Sequence, residues 1–274
     1  MSAVLLACAS AALFGAMTVA VRLGLRQAPA DAAALATVLT ALGLSLVALA
    51  VRGDVHDAWP FFLAGLIAPG ASQILFTLAI REAGASRASV AVGTAPLVAV
   101  VLALIFLDEP LRVPLLLGAL LIVAGGIALA SERDRPGHVR RLGLLFAVGA
   151  TVCFAVRDNI VRALHLHANP QTAAAATLVA GAAVAALWSR RVPSRRELRV
   201  FAPAGICFGL SYICLFEAYF RGRVSVVSPL VATESLWGVA LAALVFGSTE
   251  GVGRRLVLGA ILVVAGGALI GVFR

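Results

Sequence analysis

The chain is a succession of apolar runs, each roughly twenty residues long, and that length is what a helix needs to cross a bilayer. In hydrocarbon every backbone N–H and C=O must find an internal partner, so such runs fold as helices. Breaks at charged residues, Pro and Gly delimit ten spans. They fall near 3–22, 32–51, 60–80, 87–107, 112–131, 142–162, 171–188, 200–220, 224–247 and 256–273. Composition agrees: 13% of residues are charged, against about a quarter in a soluble domain. The first run has no basic segment ahead of it, so it reads as a retained helix and not a cleaved leader. An all-α membrane protein is therefore expected.

One motif occurs twice. Residues 117–126 read LGALLIVAGG and residues 258–267 read LGAILVVAGG, at an offset of 141. The same spacing links other positions. Phe14 and Arg22 match Phe154 and Arg162 at 140, and Phe61, Gly65, Phe76 and Arg81 match Phe201, Gly205, Phe216 and Arg221. Ser89 and Thr94 match Ser228 and Thr233 at 139. A constant offset across successive segments is the signature of a duplicated unit. With five spans in each half, the second half inserts upside down relative to the first, giving two inverted five-helix repeats. The boundaries expected are 1–131 for the first repeat, 132–141 for a polar linker and 142–274 for the second repeat.

All 22 basic residues are Arg, and the formal net charge is +9. The arginines fall between apolar runs, where they meet anionic lipid heads, so nucleic acid is not an expected partner. On this topology six arginines lie on the side of the termini and fifteen, Arg87 among them, on the other. The basic side is cytoplasmic, which puts the linker inside and both termini outside. Cys8, Cys153, Cys207 and Cys214 sit inside apolar runs without CxxC spacing and read as packing residues.

Taken together these features resemble the drug/metabolite transporter superfamily in its ten-helix EamA-type form. The resemblance rests on a small-residue span, a Pro-containing span ending in an acidic residue, then an LGxxLIxxGG-like closing span, in each half. The first half gives Ser89 to Pro96, Asp108-Glu109 and Leu117 to Gly126; the second gives Ser228 to Ser235, Glu250 and Leu258 to Gly267. Where the family often has Glu-Pro in mid-span, the first half keeps Pro96 alone and the second keeps Glu234 alone. The resemblance implies a transporter and not an enzyme, with a small-molecule substrate.

A charge at mid-membrane costs about 2.5–3.5 kcal/mol on insertion scales, so each one is a functional candidate. Four lie inside spans: Arg157, Asp158, Glu217 and Glu234. Their repeat counterparts, Met17, Thr18, Thr77 and Ala95, are uncharged, so the shared fold does not need these charges. Asp158 has Arg162 four residues on, at the spacing of a helical ion pair. Arg157 is turned about 100° from Asp158, so its counter-ion is expected to be Glu217 or Glu234. Tyr212, Phe216 and Tyr219 follow helical spacing, and Trp237 lies one turn after Glu234. A substrate cavity between the halves is expected to be lined by Arg157, Tyr212, Glu217, Glu234 and Trp237. Gln73 and Thr94 join it from positions beside helix breaks. Glu234 is the expected proton carrier.

Pro69, Pro96, Pro203 and Pro229 interrupt spans and are expected to kink them for gating. Gly125, Gly126, Gly266 and Gly267 let backbones approach closely and read as packing surface, between these helices or through them in a homodimer. His165 and His167 are two apart, on different helix faces. No nucleotide loop, catalytic Ser motif or metal-spaced His/carboxylate set is present, so no cofactor or metal is expected. The function expected is a secondary carrier of small organic metabolites, such as amino acids or related amphipathic solutes, in a bacterial inner membrane. It works by alternating access, with export favoured. A lipid-intermediate flippase is the alternative, and a membrane-embedded enzyme or a helical scaffold ranks below both.

Overall fold

Length, composition and the repeat all call for helices, and every element among the described residues is one. The structure is a computed structural model, and it describes residues 2–52, 57–106, 113–130, 140–166, 168–249 and 253–272. Most of the 132–141 linker lies outside them, as do Asp108, Glu109, His167 and Glu250. The first half contains α1 (Ala3–Gly24), α2 (Ala30–Arg52) and α3 (Trp59–Gly65), which passes through a π-helical turn (Leu66–Ala71) into α4 (Ser72–Ala83). It continues with α5 (Ala85–Val92), α6 (Ala95–Phe106) and α7 (Val113–Ala130). The second half contains α8 (Arg141–Ala163), α9 (Pro170–Ser189), α10 (Arg195–Arg221), α11 (Val224–Val231), α12 (Glu234–Phe246) and α13 (Arg254–Val272). Six of these stretches are long and apolar enough to cross a membrane: α1, α2, the α3–α4 stretch, α8, α9 and α10.

Local sequence explains where helices start and stop. Asn169 caps α9 by accepting the Thr172 N–H at 2.8 Å, with Pro170 at the first helical position. Ser194 and Glu197 form a reciprocal capping box at the start of α10. Arg191 then bridges Glu197 at 2.8 Å and Asp31 at 2.6 Å, which ties the first turn of α2 to that of α10.

Two expected spans are each a pair of short helices. Span 87–107 is α5 and α6, parted at Gly93-Thr94; span 224–247 is α11 and α12, parted at Ala232-Thr233. A break leaves carbonyls without helical partners. Thr94 Oγ1 donates to the Ala91 carbonyl and Thr233 Oγ1 to the Leu230 carbonyl, both at 2.7 Å. A third break lies at Ala68, whose backbone is extended inside the π-turn ahead of Pro69. The Ala68 carbonyl accepts the Tyr212 hydroxyl at 3.2 Å.

The prolines play unequal parts in these breaks. Pro69 sits at one. Pro96 is the second residue of α6, just past a break, where a missing N–H costs nothing. Pro229 lies inside α11, three residues before its break, and α10 runs through Pro203 without one.

The halves are interlaced. α1 packs along α10 and α4 along α8; α2 packs against α9 and α7 against α13. Close approaches recur in related pairs. A Cβ on Gly125 would lie 2.7 Å from the Gly259 carbonyl, and one on Gly266 would lie 2.5 Å from the Gly118 carbonyl. Likewise a Cβ on Gly65 would meet Thr177 backbone at 2.3 Å, and one on Gly205 would meet Thr40 at 2.4 Å and the Thr37 carbonyl at 3.0 Å. In lipid, small residues are what allow such contacts. The Gly125 and Gly266 surfaces are thus filled within one chain, where the sequence left open a homodimer through the same helices. Gly267 is buried as well. Arg87, placed by the sequence in a basic connection, is instead wholly buried in α5.

Candidate functional site

The buried face of α8 carries Ala147, Ala150, Thr151, Phe154, Arg157, Asp158 and Val161. This stripe of three- and four-residue steps is wide enough to hold two neighbouring residues. Arg157 and Asp158 therefore both point inward, at 3% and 5% exposure. Arg157 Nε donates to Asp158 Oδ1 at 2.7 Å, and the Tyr219 hydroxyl donates to Asp158 Oδ2 at 2.7 Å. This corrects two expectations. The counter-ion of Arg157 is its own neighbour, because an Arg side chain is long enough to fold back across a 100° offset. Arg162, expected to pair with Asp158, donates instead to the Tyr219 carbonyl at 3.2 Å.

Aromatic rings fix the guanidinium. It lies 5.1 Å from the ring centre of Tyr212, 5.7 Å from Phe154 and 5.9 Å from Phe216. These distances fall within cation–π range. Behind them Phe154 meets Phe14 edge-on at 5.8 Å, and Phe14 stacks on Phe76 at 5.2 Å. With Nε committed to Asp158, Arg157 Nη1 has no hydrogen-bond partner among the described residues. A buried charged donor in that state is unusual and calls for a ligand or water.

Arg157 and Asp158 line a cavity of about 30 Å³ with Ser10 and Phe14 of α1, Ser228 of α11 and Glu234 of α12. Such a volume holds about two waters. Val92 and Ala95 flank one helix break, Val231 and Glu234 flank the other and Ala232 lies within it, so the cavity lies where both breaks meet. Glu234 is the first residue of α12, at the end of a helix that favours negative charge. It is 5% exposed, and its carboxylate makes no hydrogen bond or ion pair among the described residues. A cation with an unpartnered donor, its partner Asp158 and a carboxylate without a hydrogen bond thus line one pocket, walled by rings.

The other residues singled out in the sequence are dispersed. Tyr212 stands behind Arg157 as part of the ring wall. Glu217 is in a separate place, where it pairs with Arg221 and accepts Gln171 Nε2 at 2.5 Å. Trp237 is 48% exposed and does not line the central cavity; its Cβ lies where α12 meets Gly15 of α1. The Thr94 hydroxyl is engaged by Ala91, as described above. Gln73 is fully buried, and neither of its side-chain polar atoms has a hydrogen-bond partner among the described residues. Ser10, Phe14 and Ser228 join the site without having been singled out for it. Phe14 and Ser228 did carry a signal, since both match across the repeat.

Among the described residues no group of His, Cys, Asp or Glu could hold a metal ion. No functionally curated protein matches the chain. A solved structure, described only as the crystal structure of a protein, is 20% identical over 97% of this chain and 95% of its own. Its TM-score of 0.73 makes it a fold relative. The family model for EamA-like transporters matches twice, over residues 1–131 and 141–272, and so covers nearly the whole chain. The chain therefore belongs to the EamA-like transporter family of the drug/metabolite transporter superfamily, and it is a multi-pass membrane transporter and not an enzyme.

Proposed function

We propose that the protein is a secondary carrier that exports small zwitterionic metabolites, amino acids or their relatives, across a bacterial inner membrane by alternating access. Its ten spans form two inverted five-helix repeats, 1–131 and 142–274, joined by a cytoplasmic linker at 132–141. The reciprocal glycine contacts support this reading, because a contact and its repeat-related twin form together only about a two-fold relation. The glycine faces of α7 and α13 are occupied by each other, so one chain builds the carrier.

The observation that carries the proposal is that Arg157, with Nη1 unpartnered, and Glu234 line one cavity at the meeting of two helix breaks. The arginine takes the solute's carboxylate through a charge-assisted hydrogen bond. Glu234 takes its amine, and between solutes it takes a proton. The cavity is closed down to about 30 Å³ in this conformation, so binding requires the broken helices to part.

Uptake by liposomes containing only this protein tests the reading. Arg157→Met should abolish transport while the protein stays folded and inserted. Carboxylated solutes should compete better than their amides in the native protein. If an Arg157→Met, Asp158→Asn double variant recovers both folding and transport, the pair is structural, as neutral replacements of buried ion pairs can be, and the site is wrong. Glu234→Gln should keep solute exchange but lose accumulation driven by a proton gradient. Strict dependence on sodium, or on nucleotide hydrolysis, would contradict the proton role.

A further inference from the structure

A second cavity, of about 400 Å³, opens where α1 and α9 begin and α2 and α10 end. It shares no lining residue with the central site. Leu6 and Val51 contribute apolar wall, and Cys214 lies on the α10 face. The polar groups are Glu217, Gln171 and Arg221. Small-molecule sites have this size and makeup: mostly apolar, with a few convergent polar groups. The central cavity, at about 30 Å³, does not have that size.

The pair on its wall is unlike an ordinary surface ion pair. The Glu217 side chain is 8% exposed and is held from two sides, by Gln171 Nε2 and by Arg221. Arg221 is 47% exposed and reaches the cavity mouth. Duplication did not supply the pair. The repeat counterpart of Glu217 is Thr77, and Arg81, the counterpart of Arg221, bonds Glu82 instead. The acid has therefore been set at one end of the bundle only, beside an apolar chamber.

We propose that this chamber is a second solute site, a vestibule that holds a free zwitterion with an apolar side chain before or after it visits the centre. The solute's ammonium group lies on Glu217, its carboxylate on Arg221 and its side chain against Leu6 and Val51. A zwitterion adds no net charge to the low-dielectric wall, and it replaces each member of the existing pair with an equivalent partner. A solute with one charge would leave one member facing no new partner, at a desolvation cost. This inference rests on the carrier reading for its solute class, but not on Arg157.

Cys214 supplies the test. In a variant carrying Cys8→Ala, Cys153→Ala and Cys207→Ala, Cys214 is the only thiol, and its rate of modification by a maleimide reports occupancy. The protein is held in vesicles of phosphatidylglycerol alone. Leucine at saturating concentration should slow modification about fivefold or more. Leucinamide and isocaproate, each with one charge, should slow it less than twofold. Glu217→Gln should remove the leucine effect. Equal slowing by all three probes, or by none, overturns the proposal. So does slowing that appears only when phosphatidylethanolamine is added, which would assign the chamber to a lipid headgroup. The native ligand series decides the matter even if Glu217→Gln fails to fold. Arg157→Met separates the two sites: an error at the centre leaves uptake unchanged in that variant, whereas an error here shows only in the Cys214 rates.

Discussion

At the scale of single residues, the centre of the molecule is a short relay: the Tyr219 hydroxyl, the Asp158 carboxylate, the Arg157 guanidinium and then the cavity. In the proposed site Tyr219 is a positioning residue. Its hydroxyl holds Asp158 against Nε, and Nη1 is left without a partner, as the proposed solute carboxylate requires. A hydrogen bond to a charged group is worth about 1.5–3 kcal/mol. Tyr219→Phe should therefore raise the apparent KM for carboxylated solutes about tenfold or more and shift that for their amides little; parallel uptake curves would check this. Arg157→Lys should not restore the native level, since an ammonium cannot bond Asp158 and present a second planar donor at once. The sequence singled out Arg157 and Glu234, because charges inside apolar runs stand out, and the structure puts both on one cavity. It did not disclose the Arg157–Asp158 bond. Helical spacing rules describe where side chains leave the backbone, not how far a long one folds back. Glu217 had the same signature as Glu234 and lies in another cavity, because spacing along one helix does not say which neighbours that helix will have.

At the scale of elements, the apolar runs were plain: α1, α2, α8, α9 and α10 begin and end within a few residues of the expected spans. The breaks in the fourth and ninth runs were less legible. Prolines marked the neighbourhood, but the chain parts at Gly93-Thr94 and Ala232-Thr233, where a threonine hydroxyl satisfies the carbonyl three residues back. A hydroxyl that caps its own helix looks, in a sequence, like one that lines a cavity. The α7–α13 contact gives a sharper expectation. A side chain at Gly125 or Gly266 would press on a backbone carbonyl, which has little room to yield. Overpacking of this kind costs about 1–3 kcal/mol. Gly125→Val and Gly266→Val should lower the thermal unfolding midpoint by similar amounts. The same change at Gly43, with no atom in reach of its Cβ, should leave it nearly unmoved.

At the scale of the whole molecule, the arginine asymmetry is what supports the proposed orientation, with both termini outside. A reporter fused after Arg274 should be active as an external phosphatase and dark as a fluorescent protein; the reverse pattern would exchange inside and outside. Arg87 shows how such a count goes astray, since position alone put a fully buried side chain among the lipid-facing ones. One further consequence follows from the closed centre. A membrane that stores energy as a proton gradient is drained by any continuous file of water through its proteins. Here the cavity at the two helix breaks has room for about two waters, beside the Arg157 guanidinium and its partner Asp158. A fixed cation at a constriction is one way that water-conducting pores turn protons back. If Arg157 receives the solute as proposed, the same residue would thus also keep the cell's battery from discharging through the transporter while no solute is being carried.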